Sequence, residues 1–161
     1  MNQKTKEVLL RSIEEHNGAT ITVIMKTCYL IDLTATKRIG EKITELEYIR
    51  YNYGPFNPNI YKFIMELIEN GIVYIETSYF GVGNEVAVYK IKDNHTIKTS
   101  VNLIEKSIID EVLSSIRGLG AKILTEITYQ TPPMKILGAT LGGNEHIGEK
   151  LNLKTKINAT S

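Results

Sequence analysis

The chain has 161 residues, is 42% hydrophobic and 23% charged, and carries a formal net charge of +1. That is the composition of one globular domain able to bury roughly two thirds of its unfolded surface. A single cysteine, Cys28, excludes an internal disulfide, and no apolar run approaches the roughly 20 residues a membrane-spanning helix needs. With no apolar leader in "MNQKTKEVLL", the expectation is a cytoplasmic protein with no membrane partner, in which the Asn-x-Thr triplets at Asn94 and Asn158 are chance.

Residues 3–16 read as a first helix, with Val8, Leu9 and Ile13 inward and Arg11, Glu14 and Glu15 outward. Asn17-Gly18 ends it. Thr20 caps a second helix, "ITVIMKTCYLIDL", which is apolar almost all round and is therefore expected to be central, with Cys28 as a packing residue. Residues 34–47 are polar, with a short helix expected at "EKITELE". "YIRYNY" alternates as a short strand, with Ile49, Tyr51 and Tyr53 on one side and Tyr48, Arg50 and Asn52 on the other.

The next stretch, "YNYGPFNPNIYKF", gathers three tyrosines and two phenylalanines at one turn. Gly54-Pro55 punctuates the strand. Asn57 suits an N-cap and Pro58 the first helical position, where its missing N–H costs nothing. That helix runs to about Asn70, burying Ile60, Phe63, Ile64, Leu67 and Ile68, and Gly71 ends it. Phe56 is placed for a hydrophobic staple. Tyr51, Tyr53, Phe56 and Tyr61 still exceed what a staple requires, so the rings read either as core or as a contact surface.

"IVYIETSYF" and "EVAVYKIK", separated by "GVGN", read as a β-hairpin. Ser100 is expected to cap a helix to about Arg117 with Ile104, Ile108, Val112, Leu113 and Ile116 inward. Residues 121–130 form another, stopped by Thr131-Pro132-Pro133. From Met134 the signal fades into a tail, 136–161, with a short strand expected in "KLNLKTKI". The fold expected is α+β, mostly helical: a winged-helix-like core over 1–135, with a β-hairpin wing and additional C-terminal helices.

A winged helix suggests DNA, but residues 51–95 carry a net charge of −2. Affinity for DNA comes largely from neutralised phosphates. The helix that should enter a groove offers Lys62 against Glu66 and Glu69. Lys37, Arg38 and Lys42 mark a basic stretch elsewhere. His16, His95 and His146 lack partners at metal spacing, and neither "GVGN" nor "LGGN" has the lysine and helix of a phosphate loop. No metal, cofactor or catalytic residue is expected, and the chain reads as non-enzymatic.

"YNYGPFNPNIY" followed by "LIENGIV" resembles the Tyr-Gly-Pro signature of the Panacea (SocA-like) antitoxin domain family, and "IMKTCYLIDL" and "LTEITYQTPP" are similar to its flanking helices, over roughly residues 5–135. Tyr129 stands where histidine is common in the family, and the nearest flavour is the YwgA-like branch. The resemblance implies an antitoxin or proteolytic adaptor that binds a protein partner, a toxin or a protease component, with no cofactor. Tyr51, Tyr53, Phe56, Asn57 and Tyr61 are the candidate partner-binding residues, and Gly54, Pro55, Pro58 and Gly71 the structural ones. A winged-helix DNA-binding transcriptional regulator is the alternative.

Overall fold

The first helix, α1 (Gln3–Glu15), starts where the Asn2 side chain accepts a hydrogen bond from the Thr5 amide at 2.8 Å. The structure is a computed structural model that describes residues 1–79 and 81–156; Phe80, Ile157 and the Asn158 triplet lie outside it. Val8, Leu9 and Ile13 are wholly buried. Glu7 is buried beside them. It accepts from Arg11 Nε at 2.6 Å and from the Ser100 and Val101 amides, which fastens α1 to the segment leading into the fourth helix. Asn17 (φ +49) and Gly18 (φ +102) turn the chain into α2 (Ile21–Ile39), whose first amides are met by Thr20.

Helix α2 is the central element. Every residue from Val23 to Tyr29 is buried, and the helix packs against α1, the two hairpins and two later helices. It runs six residues beyond Leu33. Thr34 and Thr36 donate to the Leu30 and Asp32 carbonyls at 2.8 Å, Ala35 is fully covered, and Lys37 and Arg38 lie in the last turn, where cations complement the carbonyl end of a helix. Gly40 closes it at φ +80.

The helix expected over 41–47 does not form. Asp32, buried on α2, accepts from the Ile43 and Thr44 amides at 2.9 Å, from the Thr44 hydroxyl and from Tyr48 Oη at 2.7 Å. A side-chain acceptor has taken the amides that a helix turn would use. Burial pushes the Asp32 carboxyl above the usual range, against the opposing pull of those four donors.

The chain then makes a tight hairpin, β1 (Ile49–Tyr51) and β2 (Gly54–Phe56), with Ile49 opposite Phe56 and Asn52-Tyr53 at the turn. Gly54-Pro55 therefore forms a strand rather than a break after one. Proline is tolerated there because a two-stranded ribbon leaves an edge without ladder bonds. Helix α3 (Asn59–Glu69) follows, burying Ile60, Phe63, Ile64 and Leu67. Gly71 (φ +72) leads into the second hairpin, β3 (Val73–Tyr79) and β4 (Glu85–Ile91), in register Val73↔Ile91 to Tyr79↔Glu85. Its inner end is held by paired hydrogen bonds between Ala19 and Tyr89 of 3.0 and 2.8 Å.

Helix α4 (Leu103–Ser115) is capped by Asn102 rather than Ser100, in a capping box with Glu105. The face is the expected one, with Ile108, Val112, Leu113 and Ile116 buried, but Ile104, in the first turn, is 62% exposed. After α5 (Ala121–Tyr129) the two prolines do not merely stop a helix. They begin a short one, α6 (Pro132–Ile136), with Met134 fully buried. No strand forms over 150–156. Lys150 makes a single bridge to Ile49, the Leu151 amide donates to Tyr48 O at 2.9 Å, and the Leu151 side chain is buried. The described chain is thus α+β, with six helices, α2 central among them, and two antiparallel hairpins. None of its helices is long and apolar enough to cross a membrane.

Candidate partner-binding site

The β1–β2 hairpin is the geometric centre of the candidate site, and its two faces differ sharply. The inner face carries Tyr48 and Arg50, both buried, whereas Tyr51 and Tyr53 point outward. Alternation in "YIRYNY" is real, but the face with the arginine is the one turned inward.

Arg50 is completely buried, and among the described residues no carboxylate receives its guanidinium. Nε donates to Glu145 O at 3.2 Å, and Nη2 to Thr140 O at 3.2 Å and Gly143 O at 2.9 Å. Nη1 donates to Tyr51 O and, at 3.0 Å, to the hydroxyl of Tyr129, while the guanidinium carbon lies 5.3 Å from the centre of that ring. Five donors thus meet five oxygen acceptors, which makes burial of the charge tolerable. Lys26, on α2, is the second buried cation. Its ammonium donates to Pro55 O at 2.9 Å, and burial, with Arg50 nearby, lowers its pKa to about 8.

Gly54 is a point of close approach between the hairpin and α5. At φ +99 it has the left-handed backbone that glycine favours. A Cβ there would meet Thr128 Oγ1 at 3.1 Å and the Tyr129 ring at 3.4 Å. Pro55 beside it is buried, with its carbonyl used by Lys26. Asn57 is also buried: its Oδ1 accepts from the Asn59 amide at 2.8 Å and its Nδ2 donates to Glu47 O. Both polar atoms of Asn57 are therefore used by the fold. Pro58 is exposed and already helical, at φ −63 and ψ −22.

The rings fall into an ordered row. Tyr51 and Phe56 stack with centroids 5.1 Å apart and 25° between planes, and Phe56 meets Tyr61 at 6.1 Å and 57°. Phe56 is half-buried, supporting Tyr51 at 42% exposure and Tyr61 at 50%. Met65, one turn along α3, is exposed as well. Tyr61 also stands close enough to Tyr89 on β4 to help raise the hydroxyl pKa of that residue, after burial. Tyr53 is separate. At the hairpin tip, 69% exposed, it borders a shallow cleft of about 330 Å³ with Thr22, Ala121 and Leu141. Of the five candidate residues, three thus form one continuous surface, one marks a neighbouring cleft and one lies beneath.

Among the described residues no group of three or more His, Cys, Asp or Glu side chains could hold a metal ion. Cys28 is fully buried, and burial, followed by Asp32 nearby, holds its thiol far above the usual range. The polar residues that sequence periodicity passed over are Lys26, Asp32 and Arg50. The one signal for them was their position: two interrupt a helix otherwise apolar all round.

These features define a small α+β domain whose Gly-Pro turn is a short hairpin, braced from below by buried cations and carrying stacked rings above. The chain belongs to the antitoxin SocA-like, Panacea domain family, whose model matches residues 24–133. The matched span runs from α2 to α6 and contains the whole hairpin; α1 lies outside it. No curated protein and no solved structure matches the chain.

Proposed function

We propose that this chain is a non-enzymatic antitoxin or proteolytic adaptor of the cytoplasm, capturing a protein partner through the face made by Tyr51, Phe56 and Tyr61, with Tyr53 at its border. The observation that carries the reading is the ring row itself. Tyrosines are exposed on a hairpin whose inner face is fixed by Arg50 and Lys26. Large rings held on a rigid base bury much area at little entropic cost, which is why tyrosine is enriched at the centres of protein interfaces. Membership of an antitoxin family supports a toxin as the partner class. Asn57 takes part from beneath, by setting the start of α3.

The DNA-binding alternative has less support. Helix α3 contains Lys62 as its one cation, alongside Glu66 and Glu69, and its outer face presents Tyr61 and Met65. Such a surface is poor at neutralising phosphates.

The test is co-expression with the product of the adjacent reading frame. Wild type should co-purify with it and relieve its toxicity, whereas Tyr51→Ala/Tyr61→Ala should lose capture by tenfold or more, about 1.4 kcal/mol or above. Because both rings are exposed, circular dichroism and melting should stay close to wild type. Unchanged capture by the folded double variant would remove the assignment of this face.

A further inference from the structure

We propose a second docking site, for an acidic peptide segment bearing an aliphatic side chain, in the cleft between the last turns of α2, the start of α6 and residues 153–156. This cleft of about 830 Å³ shares no residue with the ring face. Its apolar lining is Leu33, Pro132 and Leu153, each half-buried, and its cations are Lys37, Lys154 and Lys156. Among the described residues no carboxylate lines it. None of these three lysines has a salt-bridge partner among the described residues, whereas the neighbouring cations do: Arg38 pairs with Glu111, and Lys42 with Glu47 at 2.7 Å.

The occupant follows from that lining. The carbonyl end of α2 at Gly40 offsets part of the Lys37 charge, so Lys154 and Lys156 set the sign of the cleft. Their positive charge calls for carboxylates. Three apolar side chains lining the same cleft as the lysines call for an apolar group among those carboxylates, which a peptide supplies and a sugar-phosphate backbone does not. Three cations are also few for a duplex, where useful affinity takes many phosphate contacts. The volume lies in the usual range for a well-formed ligand cleft, roughly 300–1,000 Å³.

Fluorescence anisotropy with the labelled peptide acetyl-DELDELED-amide tests the site on the full chain at physiological salt. Saturable binding is expected, weakened about tenfold by Lys154→Glu/Lys156→Glu and by a similar factor in Leu153→Ser. The peptide acetyl-DESDESED-amide, equal in charge, should bind about tenfold more weakly than its leucine counterpart. Absence of saturable binding would overturn the proposal, as would equal binding of the serine peptide or tighter binding of a DNA oligonucleotide of the same charge. Lys154 and Lys156 are exposed, so the charge variants keep the fold. Tyr51→Ala/Tyr61→Ala should bind the peptide as wild type does, which keeps a failure of this cleft distinct from a failure of the ring face.

Discussion

Lys26 shows how far a single residue can depart from the pattern that surrounds it. It lies within a run where every neighbour is buried, is itself 3% exposed, and among the described residues has one carbonyl acceptor and no carboxylate. Burial is the larger cause of its lowered pKa of about 8, with Arg50 second, against an ordinary value of 10.5. The unfolded chain therefore binds a proton between about pH 8 and 10.5 that the folded chain does not, so Lys26 weakens the fold below that window and ceases to do so as pH rises through it. The full effect is about 3 kcal/mol. Lys26→Met should accordingly be more stable than wild type at pH 7, and the difference should shrink steadily toward pH 10. Denaturant unfolding of the two chains at matched pH values measures it. Comparing the chains cancels Tyr29, Tyr48 and Cys28, whose pKa values are raised by burial and which cost stability at high pH in both. A difference that does not change with pH would show that Lys26 stays protonated throughout. Only the position of Lys26, interrupting a helix otherwise apolar all round, was legible in the sequence; its single carbonyl acceptor and the nearness of Arg50 come from distant segments that hydrophobic periodicity does not report.

At the scale of elements, boundaries set by local chemistry were readable and those set by distant partners were not. Asn17-Gly18, Thr20, Gly71 and the Asn-Pro start of α3 carry their reasons in adjacent residues, and each stands close to where local propensity puts it. The segment 41–48 has helix-forming composition, yet Asp32 holds its amides from eleven and twelve residues away. Gly54 belongs to the second kind. Its sequence context marks a turn, whereas its constraint comes from Thr128 and Tyr129. Two glycines with positive φ therefore make a useful pair. At Gly40 (φ +80) an added Cβ meets nothing within 4 Å, so Gly40→Ala should cost only the left-handed backbone, about 1 kcal/mol. Gly54→Ala (φ +99) adds a collision with Thr128 Oγ1 and should cost about 2–3 kcal/mol. Thermal melts of the two variants decide it, and equal losses would mean that the hairpin can shift away from α5.

For the molecule as a whole, the family match ends at residue 133, but the packing around the hairpin does not. Thr140, Gly143 and Glu145 supply three of the five acceptors of Arg50, the Arg50 amide donates to Glu149 O at 2.8 Å, and Leu151 is buried. Residues 140–151 of the tail region read from sequence thus contact the same strand that bears Tyr51. Its faint periodicity has a physical cause: carbonyl oxygens do this work, and any residue except at the strained turns can offer one. A chain ended after Gly138 leaves a buried guanidinium with Tyr51 O and Tyr129 Oη alone. Breaking the partners of a buried charge costs about 3–5 kcal/mol, which for a domain of this size lowers the melting temperature by about 10 °C. The sharper test is a cycle with Arg50→Met. In the full chain the substitution should destabilise, since five oxygens lose their donors. In the shortened chain it should restore part of the lost stability, since the uncompensated charge is gone. A coupling between the two changes of 1 kcal/mol or more is expected. Strict additivity in the four melts would mean that the segment after 138 stabilises the molecule through Leu151 and its neighbours alone, and that the arginine does not carry the connection to the ring-bearing hairpin.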